Sequence, residues 1–216
     1  EKRWVIHNGY CVRPYLHAGE DVTARLLNSP SDQSDFVLSE MPRDDPRVFQ
    51  DDLTLLAHTS ASAIDEVYLS KLISNWRGPI SLAVSMQGAF NEDYVTAKID
   101  RALRLLKNYE GASRFSVHVM LPRIGKKTCA ESESHHTNEN ADQNTFFATY
   151  PINTVRNVAR LFSSTRYIAF ADADYIFSAG FYKKILSILR ENVSIGSKNA
   201  LLYRIFEVED NDSRLR

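Results

Sequence analysis

From residue 52 onward, short apolar runs alternate with segments whose apolar residues recur at helical spacing, and no other feature constrains the fold as strongly. Each run is short enough for a strand that is buried on both faces of a sheet. Strands that alternate with amphipathic helices predict an α/β fold with a mostly parallel sheet and right-handed crossovers. The predicted strands are 53–58, 80–84, 115–121, 167–171 and 200–206.

Helix start signals and apolar stripes locate the helices between these strands. Ser62 with Asp65 three residues later resembles a capping box, and Pro151 suits the first turn of a later helix. Apolar residues three and four positions apart then predict the buried face of each helix. In the helix that follows Pro151, this face comprises Ile152, Val155, Ala159 and Phe162.

Length and composition indicate a single globular domain. The chain has 216 residues, 44% of them hydrophobic, and 26 basic against 27 acidic residues leave a formal net charge of -1. This balance gives no sign of a nucleic-acid partner, and no apolar run approaches the length of a membrane span. We divide the chain into an irregular, proline-broken subregion at 1–51, packed on the core, and a regular domain at 52–216.

The two cysteines, Cys11 and Cys129, lie far apart without the spacing of a zinc or thioredoxin-like site. They either form a disulfide or remain free. A disulfide would indicate a secretory compartment, which the two glycosylation sequons at 192–194 and 211–213 would also suit.

Two aspartates, Asp172 and Asp174, end the apolar run at 167–171. Residues i and i+2 of an extended segment point to the same side, so both carboxylates can face one point while Ala173 packs the other way. Paired carboxylates suit Mg²⁺ or Mn²⁺, with waters and a diphosphate as the remaining ligands. The strand ends where ligands of parallel sheets bind. The alternative is that one aspartate caps a turn and the other is merely solvated.

A polar helix face lies just upstream of the aspartates. Its residues, at spacings of three and four, are Asn153, Arg156, Asn157 and Arg160. One interpretation is a solvated helix surface. The other is that Arg156 binds a phosphate or a sugar carboxylate, while Asn153 or Asn157 donates hydrogen bonds to the sugar or ribose.

The segments "YPINTVRNVA" and "YIAFADAD" together resemble the LARGE and β-1,4-glucuronyltransferase family, which builds glycans on dystroglycan and related acceptors. "LTLLAHTS" and "NWRGPISLAV" are similar to the opening strand and second strand of the same domain. The similarity covers about residues 52–207, and the order and spacing of its pieces are more specific than any single piece.

The resemblance implies a GT-A (Rossmann-like) fold and a metal-dependent transferase that moves a sugar from a UDP-sugar to a glycan or glycoprotein acceptor, with inversion. It implies Asp172 and Asp174 as ligands of Mn²⁺ or Mg²⁺, and Arg156 and Asn157 near the donor. UDP-glucuronate is the first expected donor and UDP-xylose the second. The resemblance also places the end of the first strand, Ala57, His58 and Thr59, near the uracil.

Further expectations concern the rest of the protein. Family domains continue past the last predicted strand, so we expect the chain to be truncated at its C-terminus, without the acceptor part. The resemblance implies the Golgi lumen, with a type II membrane anchor outside this chain. Glu207, at the end of the last predicted strand, is the candidate base for the attacking hydroxyl, although a surface role is an equal alternative.

Two competing functions stay open at this point. A phosphatase of the haloacid-dehalogenase type also uses Asp-x-Asp, but on its first strand, whereas Asp172 and Asp174 lie late in the chain. A catalytically inactive glycosyltransferase-like binding protein would keep the same nucleotide site. Nucleotide binding without turnover would distinguish that protein from the enzyme.

Overall fold

The computed structural model describes residues 5–7, 9–16, 50–86, 92–105, 114–122, 129, 132, 150–163, 165–191, 200–204 and 206. The strands are β1 (Val5–His7), β2 (Tyr10–Leu16), β3 (Gln50–Ser60), β4 (Ile80–Ser85), β5 (Phe115–Pro122) and β6 (Thr165–Asp172). The helices are α1 (Glu66–Asn75), α2 (Glu92–Leu105), α3 (Ile152–Leu161) and α4 (Phe181–Glu191). A short 3-10 turn, Ala61–Ala63, joins β3 to the segment before α1.

The strands form one six-stranded sheet in the order β1-β2-β5-β4-β3-β6. The four neighbours β5, β4, β3 and β6 run parallel, and β2 and β1 extend the sheet as antiparallel strands. This arrangement confirms the predicted α/β fold with a mostly parallel sheet, compatible with a GT-A domain. Central strands such as β4, buried along its whole length, explain why the apolar runs are continuous rather than alternating.

Helices cover both faces of this sheet. Buried side chains of α1, α2 and α4 join the larger core, in which Trp76 is completely buried against Phe177 and Tyr182. The smaller core on the other face is closed by α3 through Val155, Val158, Ala159 and Leu161. The predicted burial of Ile152 is wrong, because this first residue of α3 is 40% exposed, ahead of the turn that contacts the sheet.

The N-terminal prediction needs correction. Residues 5–7 and 10–16 were expected to be irregular, but they form β1 and β2, and β2 pairs with β5 from Tyr10 to Leu16. Gln50 and Asp51 also belong to β3. Proline and polar residues elsewhere in 1–51 obscured these short strands, and β2, which β1 joins, takes its other partner, β5, from about a hundred residues away.

The predicted strand at 200–206 is also wrong for the residues that the structure describes there. Residues 200–204 and 206 lie outside any helix or strand, with Leu202 96% and Phe206 76% exposed. Tyr203 anchors the segment, because its hydroxyl donates a hydrogen bond to the carbonyl of Phe170 in β6. An apolar run here therefore does not indicate burial.

Cys11 and Cys129 form a disulfide, with their Cα atoms 5.6 Å apart. The bond ties β2, in which Cys11 is completely buried, to a residue 118 positions later in the chain. Of the two alternatives that the sequence left open, the structure therefore contains the disulfide. No helix among the described residues is long and apolar enough to cross a membrane.

The start of α1 differs from the predicted capping box. Asp65 itself is the N-cap, and its Oδ1 accepts hydrogen bonds from the backbone amides of Val67 (2.8 Å) and Tyr68 (2.9 Å). Ser62 lies in the 3-10 turn, and its hydroxyl contacts that of Ser60 instead. The helix thus begins three residues later than a cap at Ser62 would require.

We therefore expect Asp65→Ala to lower the free energy of unfolding by about 1 kcal/mol, because two helix amides lose their acceptor. Ser62→Ala, the matched control, should change it by less than about 0.5 kcal/mol. Urea titration followed by circular dichroism measures both. Equal losses in the two variants would contradict this assignment of the cap.

Candidate functional site

A cleft of about 280 Å³ opens at the carboxyl ends of β3 and β6. These strands are parallel neighbours, and their register pairs His58 with Asp172. This is the edge of a parallel sheet where ligands bind. The residues that line the cleft are His58, Thr59, Ser60, Ala63, Ile64, Asp65, Tyr68, Leu69, Leu82, Tyr150, Asp172, Ala173 and Asp174.

Both predicted aspartates line this cleft, but not through the predicted strand alternation. β6 ends at Asp172, and the chain then turns, with the amide of Tyr175 donating to the carbonyl of Asp172 at 3.2 Å. The amide of Ala173 donates to the carbonyl of His58 at 3.3 Å. The chain turns instead of staying extended, and Ala173 lines the cleft together with the two aspartates while also packing against the larger core.

His58 lies at the centre of the polar contacts. Its Nε2 is 2.9 Å from Oδ1 of Asp172, and its Nδ1 is 3.0 Å from the hydroxyl of Tyr150. Burial lowers the pKa of His58, and this effect exceeds the opposing attraction of Asp172, while Arg156 lowers the pKa further. The imidazole is therefore neutral at physiological pH.

Arg156 is the residue of the predicted polar helix face that reaches this group. Its Nε donates to Nε2 of His58 at 3.0 Å, and its Nη2 is 3.8 Å from Oδ1 of Asp172. α3 packs on β3 and β4, which brings Arg156 to the end of the sheet. Among the described residues, neither Asn153, which is exposed, nor Asn157, which is partly exposed, lines the cleft.

The other predicted site residues fall in three different places. His58 and Thr59 line the cleft, whereas Ala57 is completely buried in the larger core and does not. Ala57 lies further from the carboxyl end of β3, at Ser60, than His58 and Thr59 do, and it is therefore enclosed by the sheet and its core. Glu207, the predicted base, lies outside the residues that the structure describes.

Tyr150 and Tyr68 line the cleft and were not predicted as site residues. Burial raises the pKa of Tyr150, and the charge of Asp172 raises it further, so its hydroxyl keeps its proton. One signal for Tyr150 was available, because it directly precedes Pro151 at the start of α3, where the chain reaches the sheet edge. Tyr68 lies at i, i+4 spacing between Ile64 and Leu72, and this apolar pattern predicts a core residue rather than a site residue.

The cleft is acidic, since Asp65, Asp172 and Asp174 all line it. Its charge also acts on Tyr175, whose pKa is raised first by burial and then by Asp172 and Asp174. Within the described ranges, no group of three or more His, Cys, Asp or Glu side chains is arranged to hold a metal ion. Asp172, which is partly exposed, and Asp174, which is exposed, nevertheless fit a hard divalent cation that draws its remaining ligands from water and a diphosphate.

Comparison with known proteins gives this geometry a context. Residues 52–215 match the model of a family described as glycosyl-transferase for dystroglycan. The chain belongs to this family. Membership confirms the resemblance and identifies a glycosyltransferase, a class that takes a nucleotide-sugar donor and a glycan acceptor, and it decides against the phosphatase. No curated protein matches the chain significantly.

Proposed function

We propose that this glycosyltransferase transfers a sugar from a UDP-sugar to a glycan acceptor, with inversion, and depends on Mn²⁺ or Mg²⁺. The observation that carries the proposal is the joint position of Asp172 and Asp174 in a cleft at the carboxyl end of parallel strands. Neighbouring carboxylates repel each other. A divalent cation bound between them would remove this repulsion, and a diphosphate would complete its ligands.

A cation held by Asp172 and Asp174 would neutralise the negative charge that develops on the departing diphosphate. The surrounding residues supply the rest of the environment. Thr59 and Ser60 offer hydroxyl groups in the same cleft, and the rings and methyl groups of Tyr68, Ile64 and Leu69 offer apolar surface. These groups suit a ligand that has both a polar sugar-phosphate part and a flat base.

Arg156 supports glucuronate as the first donor and xylose as the second. Its guanidinium contacts both His58 and Asp172. A guanidinium can bind a carboxylate through two parallel hydrogen bonds, and glucuronate carries a carboxylate that xylose lacks. Selection of glucuronate would then depend on the forked shape of Arg156 as well as on its charge.

We therefore expect Arg156→Lys to weaken UDP-glucuronate binding about ten-fold and to change UDP-xylose binding little, since lysine keeps the charge but loses the fork. Calorimetric titration of each donor with Mn²⁺ measures the difference. Arg166→Lys on β6, which is exposed, serves as the matched control. Equal weakening of both donors would mean that Arg156 contacts the phosphates, and would remove the argument for glucuronate.

Turnover is tested separately from binding. Release of UDP from a donor in the presence of glycan acceptors would support the enzyme, and the anomeric configuration of the product would test inversion. Metal-dependent UDP binding without turnover on any acceptor would instead support the inactive binding protein. The same two measurements test Glu207 as the catalytic base. If it has this role, Glu207→Gln should lose turnover and retain donor binding.

We also infer the Golgi lumen as the place of action. The Cys11–Cys129 disulfide supports this inference, because such bonds persist in the oxidising secretory compartments. Microscopy of the tagged full-length protein against a Golgi marker tests it, and a diffuse cytosolic signal would contradict it.

A further inference from the structure

The contacts of His58 Nε2 are in conflict. Arg156 Nε–H points its donor at this nitrogen from 3.0 Å, which requires a lone pair on Nε2. Oδ1 of Asp172 lies 2.9 Å from the same nitrogen, which requires a proton on Nε2. One ring nitrogen cannot satisfy both neighbours, so His58 has two competing hydrogen-bond patterns.

In each pattern both ring nitrogens of His58 have a partner, because the hydroxyl of Tyr150 donates in one and accepts in the other. In the first, Nε2–H donates to Asp172, and the hydroxyl of Tyr150 donates to Nδ1. In the second, Nε2 accepts from Arg156, and Nδ1–H donates to the oxygen of Tyr150. A tyrosine hydroxyl can either donate or accept, so it permits both patterns without a buried ring nitrogen losing its partner.

We propose that Tyr150 is a positioning residue of the donor site, whose hydroxyl lets His58 change from holding Asp172 to holding Arg156 when a cation binds. This inference rests on the proposed function. The proton moves between the two nitrogens of one neutral ring, so no net proton is taken up or released.

The charges of the site set the direction of this change. Without a cation, the anionic Asp172 favours the first pattern, because a charge-assisted hydrogen bond is stronger than a neutral one. A cation at the carboxylates repels the positive end of an N–H dipole at Nε2 of His58. It therefore favours the tautomer that has a lone pair on Nε2. The second pattern then frees Oδ1 of Asp172 and keeps Arg156 beside the cleft.

Tyr150→Phe removes the partner of Nδ1 in both patterns, but the first pattern keeps its charge-assisted hydrogen bond to Asp172 and leaves only an unused lone pair at Nδ1. The second pattern instead leaves a donor without a partner. The N–H at Nδ1 would then be buried without an acceptor, because the ring of His58 is only 6% exposed. His58 should therefore remain on Asp172 and compete with the cation. We expect binding of UDP with Mg²⁺ to weaken about five-fold.

The test combines calorimetry with nitrogen-15 NMR of the histidine rings, which shows which ring nitrogen carries the proton. Mg²⁺ is used because it is diamagnetic, and the signal missing in His58→Gln assigns His58. In the wild-type protein the proton should lie on Nε2 without ligand and on Nδ1 with Mg²⁺ and UDP. In Tyr150→Phe it should stay on Nε2 in both states.

Tyr167→Phe is the matched control, since it removes a hydroxyl from β6 outside the cleft and should behave as the wild type does. A wild-type protein that binds UDP while its ring proton stays in place would overturn the present proposal alone. The same conclusion follows if Tyr150→Phe matches the wild type in both measurements. Failure of the wild-type protein to bind UDP with either cation would instead overturn the proposed function.

Discussion

The double variant Asp172→Ala/Asp174→Ala should lose metal-dependent UDP binding completely and lower sugar transfer about 1,000-fold. Both carboxylates line the one cleft at the end of β3 and β6, and the described residues there include no third acidic or histidine ligand arranged to replace them. Without them no bound cation would offset the charge of the diphosphate, and Arg156, the described basic residue beside Asp172, does not itself line the cleft. Loss of a bound divalent cation removes several kcal/mol of electrostatic stabilisation.

The first measurement is calorimetric titration of UDP with Mn²⁺, repeated with EDTA. The wild-type protein should bind only when the metal is present, and the double variant should bind in neither condition. Asp100→Ala, which removes an exposed carboxylate from α2, should leave binding unchanged. Thermal midpoints close to the wild-type value would confirm that the double variant is folded. Full binding by the double variant would show that the aspartates are structural.

Removal of the disulfide should lower the free energy of unfolding by about 2–5 kcal/mol, a fall of roughly 10 °C in the thermal midpoint. The bond closes a loop of large separation, 118 residues, and one of its cysteines, Cys11, is completely buried in β2. Since β2 pairs with β5, loss of the bond should affect this side of the sheet first.

Thermal melts with and without a reducing agent measure the effect. The wild-type midpoint should fall on reduction, whereas Cys11→Ala/Cys129→Ala should start at the lower value and not respond further. The donor cleft lies at β3 and β6, at the other side of the sheet, so UDP affinity at 20 °C should change little in the variant. An unchanged midpoint on reduction would contradict the prediction, provided that free thiols are then detected.

Much of the fold was predictable because its signals are local. The runs that became β3, β4, β5 and β6 are continuous and apolar, as strands buried on both faces must be. Periodic stripes identified the helices, and Pro151 marked the start of α3. β1 and β2 were missed because β2 depends on the distant strand β5 and β1 depends on β2, and the prediction at 200–206 failed because Leu201, Leu202 and Phe206 are exposed.

Some features of the candidate site were likewise predictable from local sequence, and others were not. The two aspartates could be found from sequence, because like charges at the end of an apolar run require an explanation. The turn that brings both aspartates to the cleft could not be predicted from sequence. It depends on the amide of Ala173, which donates a hydrogen bond to β3. Tyr150 is 92 residues from His58, and no local pattern relates them.

By itself, the sequence determined the alternation of strands and helices from β3 to α4, the buried face of α3 apart from Ile152, the position of the acidic pair and the family. Those properties follow from periodicity and composition over a few residues, which local physical chemistry controls. Only the tertiary structure decided that Cys11 and Cys129 are joined, that Asp65 caps α1, and that His58 meets Asp172, Arg156 and Tyr150. These contacts depend on which distant segments the sheet brings together, and pairing across a sheet leaves no signal in any one segment.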